Sequence, residues 1–363
     1  MAYISFQPKD YFNTHLYSGN DTTNNQQVGL TPDLVWVKCR NNATPSHYWV
    51  DKVRGDKKYI SSNATTAEQT DSNTFDLVSG GFNLAGGNGW TNLTGRTYAS
   101  WNWKANGSGS SNSDGSISST VSANTTAGFS IVKWTGDGTK GATVGHGLGV
   151  KPAMIIARDY AQSKHWFVYH QKLTDNYVMT LNSNEEEKTG DNYWGSGSLM
   201  KSASSPTTTT FSFNGSGSSI TNINGNGYTN IAYCFAEKKG FSKFGSYTGN
   251  GNADGTFIYT GFKPAFVIFK KTSATGNWGL LDSTRSYANV ANHTLAANLS
   301  DAESSFGGGE SVFGASNKVD IVSNGIKIRE ASDYNNASGA TYIYLAFAES
   351  PIVSSNGVPA VAR

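Results

Sequence analysis

Three observations predict an all-β fold of three tandem antiparallel β-sandwich repeats. First, the 363-residue chain carries 41 Gly and 12% aromatic residues but only 15% charged ones. Turn formers and bulky strand formers thus dominate over helix formers. Second, one proline-led strand is written three times, as "GLTPDLVWVKCR" from Gly29, "GVKPAMIIARD" from Gly149 and "GFKPAFVIFKK" from Gly261. Third, each copy closes on an alternating aromatic strand: "YASWNWK" from Tyr98, "NIAYCFAEKKG" from Asn230 and "YIYLAFAES" from Tyr342. A period of two marks a strand with one face in a core.

Within each copy the elements follow in a fixed order. An aromatic-led turn comes first, "YSGN" at Tyr17, "WTGDG" at Trp134 and "YTGNG" at Tyr247, where Gly and Asn accept the positive φ of tight hairpins. The proline strand follows, with Pro at its start, where a missing ladder donor does least harm. Ala265 to Phe269 run apolar on both faces. That suits a central strand covered on both sides, or one with a core on one face and a neighbouring domain on the other. An aromatic segment is next: "HYWVDKVR" from His47, "HWFVYH" from His165 and "NWGLLDSTR" from Asn277. Asp51 lies 19 residues after Pro32, His170 lies 18 after Pro152 and Asp282 lies 18 after Pro264. An Asp-x-x-Arg pattern, Asp51 with Arg54 and Asp282 with Arg285, is therefore kept in copies one and three, whereas copy two carries His170 and Leu173. The closing strands align Trp103, Phe235 and Phe347, with Trp101, Tyr233 and Leu345 two residues earlier.

The prolines stand 120 and 112 residues apart, about the length of one small sandwich. The expected domains are residues 1–104, 128–239 and 240–350, followed by a tail at 351–363. Residues 105–127, "ANGSGSSNSDGSISSTVSANTTA", read as a Gly/Ser-rich linker, a flexible or surface-lying strap. Copies two and three meet without a spacer, so that junction is expected to be stiff.

Composition and motifs narrow the function. A net charge of +2 without a basic tract does not suit nucleic acid, which is held by clustered Lys and Arg. No stretch reaches the ~18 apolar residues of a membrane span. "MAYISFQPKDYF" lacks the basic and apolar regions of a secretion signal. Cys39 and Cys234 read as two buried free thiols, and no metal-type cysteine spacing occurs. The six histidines are scattered, so neither a metal nor a cofactor is expected. Glu237 and Glu349 occupy equivalent strand ends, and Glu185, Glu186 and Glu187 read as a solvated turn. Asp51 and Asp282 are expected to pair with their arginines and fix a turn, and an acid held by arginine is a poor general acid. "GDGTKGAT" lacks the Lys-Ser/Thr of a phosphate loop, and no Gly-x-Ser-x-Gly elbow occurs. No enzyme is predicted. Trp90 in "AGGNGWTN" and Tyr193 with Trp194 in "GDNYWGSG" are loop aromatics outside the repeated pattern. They are candidates for a sugar- or protein-contact surface, or for folding back onto their own domain.

The string "GFSIVKWTGDGTKGATVGHGLGVKPAMIIARD" with "HWFVYH", then "IAYCFAEKKGFSKFGSYTGNGNADGTFIYTGFKPAFVIFKK", resembles a repeat of virion proteins from tailed marine bacteriophages, cyanophages among them. The chain ends "MAYISFQPKDYFNT" and "YIYLAFAESPIVSSNGVPAVAR" are similar to the ends of the same proteins. One departure is Asn102, where such proteins often have Cys. The resemblance implies concanavalin-like, SPRY-like or jelly-roll sandwiches with no defined active site. It implies a virion protein made in the host bacterial cytoplasm, either a tail-fibre or tail-associated adhesin touching the host surface or a capsid decoration or head-fibre protein. A glycan-binding lectin or polysaccharide depolymerase is the alternative of another class. The expected partners are other virion proteins of tail or capsid, a host surface glycan or protein, and further copies of the chain in a homo-oligomer, a trimer being expected.

Overall fold

The three proline strands each sit inside a large antiparallel sheet, beside the closing strand of their own copy. A computed structural model describes residues 6–189, 205–213, 222–303 and 318–349, with the backbone of 352–353 and 359–360. Among these residues the chain is all-β apart from one 3-10 turn at Pro8–Asp10. The first third contains β1 (Phe12–Ser18), β2 (Asn24–Gln27), β3 (Leu34–Cys39), β4 (Tyr48–Asp51), β5 (Lys58–Tyr59), β6 (Gln69–Thr70), β7 (Thr74–Val78), β8 (Gly81–Ala85) and β9 (Thr97–Trp103). The second contains β10 (Ser110–Asn112), β11 (Ser119–Asn124), β12 (Phe129–Thr135), β13 (Thr143–Gly145), β14 (Met154–Asp159), β15 (Phe167–His170), β16 (Tyr177–Thr180), β17 (Lys188–Thr189), β18 (Thr210–Ser212) and β19 (Thr229–Phe235). The last contains β20 (Ser242–Thr248), β21 (Phe257–Tyr259), β22 (Pro264–Lys271), β23 (Gly279–Asp282), β24 (Leu295–Ala296), β25 (Val319–Val322), β26 (Gly325–Ile328) and β27 (Thr341–Ala348).

The same strand order appears three times: β1-β9-β3-β4, then β12-β19-β14-β15, then β20-β27-β22-β23. Register repeats too, since Leu34 faces Trp103, Met154 faces Phe235 and Phe266 faces Phe347. A smaller sheet accompanies each large one: β2-β8-β7, β13-β18 and β21-β26-β25. One cross-strand pair explains why the third aromatic segment reads "NWGLL". Val37 faces Tyr48 and Ala157 faces Phe167, but Phe269 faces Gly279. A Cβ on Gly279 would lie 2.3 Å from Phe269 Cζ, so the bulk has moved to the opposite strand and the packed volume is kept.

Residues 105–127, expected as a Gly/Ser-rich linker, either flexible or a surface-lying strap, include two strands. They supply β10 and β11, and β11 pairs with β12 from Ser119↔Trp134 to Asn124↔Phe129. The Asp33 carboxylate accepts the N–H groups of Ala105 and Gly107 at 2.7 and 3.2 Å, which ties the start of the strap to the first third. Ser, Thr and Val in the strap are compatible with a strand, and its pairing covers an edge that β12 would otherwise expose.

Four apolar clusters account for the two-faced proline strands. Val35, Val37 and Cys39 enter a cluster with Phe75, Leu77, Phe82 and Leu84 of the small sheet. Leu34 and Trp36, on the other face, enter a cluster that also holds Met154 and Ile156 of the second third and Phe266 and Ile268 of the last. Among the described residues that shared cluster contains 35 buried residues, against 18, 13 and 13 in the three clusters inside single units. Among these residues the interior common to all three units is therefore the largest, and no unit buries the second face of its large sheet without the other two. Trp103, Phe235 and Phe347, the residues aligned by sequence, meet in this shared core. Their ring centroids are 6.3, 5.9 and 6.0 Å apart in pairs, so they form a triangle on a pseudo-threefold axis.

Candidate functional site

The repeated polar residues lie on the seams between units. Asp51 Oδ2 accepts from Arg54 Nε at 2.5 Å, while Oδ1 caps the N–H groups of Val53 and Arg54 at 3.0 and 2.9 Å. From the second unit, Tyr233 Oη donates to Asp51 Oδ2 at 2.8 Å. In the third unit Arg285 Nε donates to Asp282 Oδ2 at 2.5 Å, and Trp101 Nε1 of the first unit donates to the same oxygen at 3.1 Å. The expected Asp–Arg pairs are thus present and fully buried, and each also takes a donor from a neighbouring unit. Tyr233 and Trp101 share one aligned position, occupied in the third unit by Leu345, which offers no donor. The remaining seam lacks the acid: His170 stands there, its Nε2 donating to the Tyr344 carbonyl at 3.2 Å. An unpaired buried carboxylate would cost several kcal/mol, so the acid and its donor are missing together.

Further contacts close the ring in both directions. The N–H of Glu68 donates to Tyr160 O at 2.6 Å, that of Glu187 to Thr272 O at 3.1 Å and that of Glu303 to Arg40 O at 2.7 Å. In the opposite sense His47 Nε2 donates to Ala296 O at 2.8 Å, Trp166 Nε1 to Ser61 O at 2.8 Å and Trp278 Nε1 to Thr180 O at 2.9 Å. The three glutamates end the strings "NATTAE", "NSNEEE" and "NLSDAE". The asparagines that open them, Asn63, Asn182 and Asn298, accept the N–H of His47, Trp166 and Trp278, each at 2.9 Å. Glu68 and Glu303 lie 3.2 and 3.5 Å from the guanidinium groups of Arg54 and Arg285. Glu187, expected in a solvated turn, accepts from the N–H and hydroxyl of Thr174 at 2.9 and 2.8 Å. The Asn-x-x-x-x-Glu spacing is the sequence signal that would have shown these residues to be part of the repeat.

Three buried cations occupy one further repeated position. Lys38, Arg158 and Lys270 each donate to the carbonyl of the next residue, at 2.8, 2.9 and 2.7 Å. Arg158 also reaches Thr65 O at 2.8 Å and Lys270 reaches Glu185 O at 2.7 Å, both in a neighbouring unit. Burial pulls Lys38 down to about 8 and Lys270 to about 7. A lysine so perturbed could serve as a nucleophile, but both are sealed from solvent and act as clamps on backbone carbonyls. Burial likewise pulls His47 down to about 3. The imidazole is therefore neutral, its Nδ1 accepting from Trp36 Nε1 at 2.7 Å.

Of the loop aromatics, Trp90 is half-buried and packs edge-on against Tyr59 and Tyr48, at 5.2 and 6.2 Å between centroids. It folds onto its own unit. Tyr193 and Trp194 lie outside the described residues. Cys39 and Cys234 are free and buried. Sequence reasoning missed an outward groove of about 610 Å³ in the third unit, lined among others by Lys263, Ser286, Tyr287, Asn289, Asp320 and Arg329. Arg329 Nε meets Asp320 at 2.5 Å and Lys263 Nζ meets Glu349 at 2.7 Å. The side-chain amide of Asn289 bonds β25, its Oδ1 accepting from the N–H of Ile321 at 2.9 Å and its Nδ2 donating to the Ile321 carbonyl at 3.1 Å.

Neither the curated proteins nor the solved structures contain a significant match to this chain. One family model matches residues 7–351, so a single definition spans all three units and their shared core. The chain belongs to the family defined by that model, a domain of unknown function, DUF7483.

Proposed function

We propose that this chain is a non-enzymatic bacteriophage virion protein, a tail-fibre or tail-associated adhesin that contacts the host surface. One observation carries the reading. The residues that the repeats share, Asp51, Arg54, Asp282, Arg285, Lys38, Arg158 and Lys270, are all buried, and the two Asp–Arg pairs, Arg158 and Lys270 hold one unit against the next. Chemistry at the surface is then left to residues the units do not share, as befits a rigid scaffold that displays a contact face. The similarity of the sequence to marine phage virion repeats supplies the particle. In this reading each unit is a concanavalin-like or jelly-roll sandwich, and the threefold arrangement expected of a homotrimer is built within one chain. The corresponding capsid reading, a decoration or head-fibre protein, differs only in position on the particle.

The test is mass spectrometry of purified particles from a phage encoding the chain, with antibody labelling to locate it. Detection at the tail supports the adhesin and detection on the head supports the decoration protein. Absence from mature particles overturns both.

A further inference from the structure

The small sheet of the third unit turns an aromatic face outward. Ile258, Val319, Ile321, Ile326 and Ile328 point into the unit's own core. By alternation Phe257, Tyr259, Gly325, Lys327, Asp320 and Val322 form the outer face. Register sets Tyr259, Gly325 and Val322 in one row across the sheet, and Phe257, Lys327 and Asp320 in the next. Phe257 is 45% exposed, Tyr259 62% and Tyr287, on the adjoining groove, 91%. Among the described residues, four of the five exposed large hydrophobic side chains belong to this unit. Its fold does not demand them. The matching face of the first unit presents Asn25, Gln27, Asp76 and Asn83, with no aromatic.

We propose that this outer face and the adjoining groove bind an oligosaccharide. Ring faces of Tyr259, Phe257 and Tyr287 stack on the C–H faces of sugar rings. On the neighbouring strand Gly325 places no side chain beside Tyr259. Its close approach to the Ile258 carbonyl, which a Cβ would meet at 2.1 Å, is shared by Gly81 of the first unit, which approaches the Gln26 carbonyl in the same way. The Arg329–Asp320 and Lys263–Glu349 pairs hold donors and acceptors in fixed positions without net charge, which suits hydroxyl recognition. The groove of about 610 Å³ falls within the ~300–1,000 Å³ typical of small-ligand sites. A protein partner fits less well. Its interface would centre on a continuous apolar patch, whereas here the rings of Phe257 and Tyr259 lie on an edge strand beside the bare Gly325 and the charged Lys327, itself paired with Asp254 at 2.7 Å.

This names the ligand class for the adhesin reading and rests on it, yet the two can be tested apart. The purified full chain is applied to an array of bacterial surface oligosaccharides. Binding by the wild type is expected, with a loss of about tenfold or more in the Tyr259→Ala/Tyr287→Ala double variant. Both tyrosines are exposed, so an unchanged melting temperature confirms the variant's fold. Asn25→Ala/Gln27→Ala on the matching face of the first unit is expected to bind as the wild type does. Failure of the wild type to bind any glycan overturns the proposal, as does binding that survives the double variant. Blocking of particle adsorption by added free chain, measured in parallel, decides the adhesin reading on its own.

Discussion

Asp51→Ala is the sharpest probe of the shared interior. It leaves Arg54 buried, with Glu68 at 3.2 Å as its remaining carboxylate. It also strips the acceptor from Tyr233 Oη and from the N–H groups of Val53 and Arg54. Breaking one side of a buried pair costs roughly 3–5 kcal/mol. Tyr233→Phe removes a single hydrogen bond to a charged group and is expected to cost about 1.5–3 kcal/mol. The double variant should cost less than the sum, because both changes act on one carboxylate. Guanidinium denaturation followed by tryptophan fluorescence and far-UV circular dichroism measures all three. Six of the nine tryptophans, Trp36, Trp49, Trp101, Trp103, Trp166 and Trp278, lie in the shared core, so fluorescence reports mainly on that interior. Both signals should fall together, at lower denaturant than in the wild type. A separate early transition for the first unit, or a shift under about 1 kcal/mol, would refute a common core held by this seam.

Other outcomes follow from the same contacts. Trp90→Ala should lower stability by about 1–2 kcal/mol, through lost packing on Tyr59 and Tyr48, with glycan binding unchanged; a selective loss of binding would make Trp90 a contact residue. His47 and His146 are pulled by burial to about 3 and about 4, from 6.5 in the unfolded chain. The native state then binds fewer protons below pH 6.5, and stability falls as pH drops. His47 alone should contribute a loss of roughly 2 kcal/mol between pH 6.5 and 5, and a flat melting profile over that range would contradict this. Burial pushes the thiols of Cys39 and Cys234 up, so neither should react with a thiol reagent at neutral pH until the protein is denatured; rapid labelling of the native chain would count against their placement.

Much of the architecture was legible because it is local. Period-two aromatics located the closing strands, and the aligned Trp103, Phe235 and Phe347 proved to be the residues that meet on the axis. The apolar run of the proline strand correctly implied cover on both faces. Residues 105–127 misled because Ser and Gly content reads as a linker, whereas β11 is specified by the partner edge of β12. The cause of the missing acid at His170 was illegible, for it lies in Leu345, 175 residues away in the chain and in another unit. The groove was equally hidden. Its residues run from Lys263 to Glu349 with no spacing rule, and only the sheet brings Tyr259 and Asp320 onto one face.

The closed ring of seams has a consequence for how the protein responds to dilution. Three separate subunits joined by such contacts would dissociate as their concentration fell, and their stability would depend on it. Here the strap of β10 and β11 and the short turn between Lys238 and Ser242 keep each unit beside the next, at an effective concentration on the order of millimolar. The seams therefore persist in a single molecule, however few copies are present.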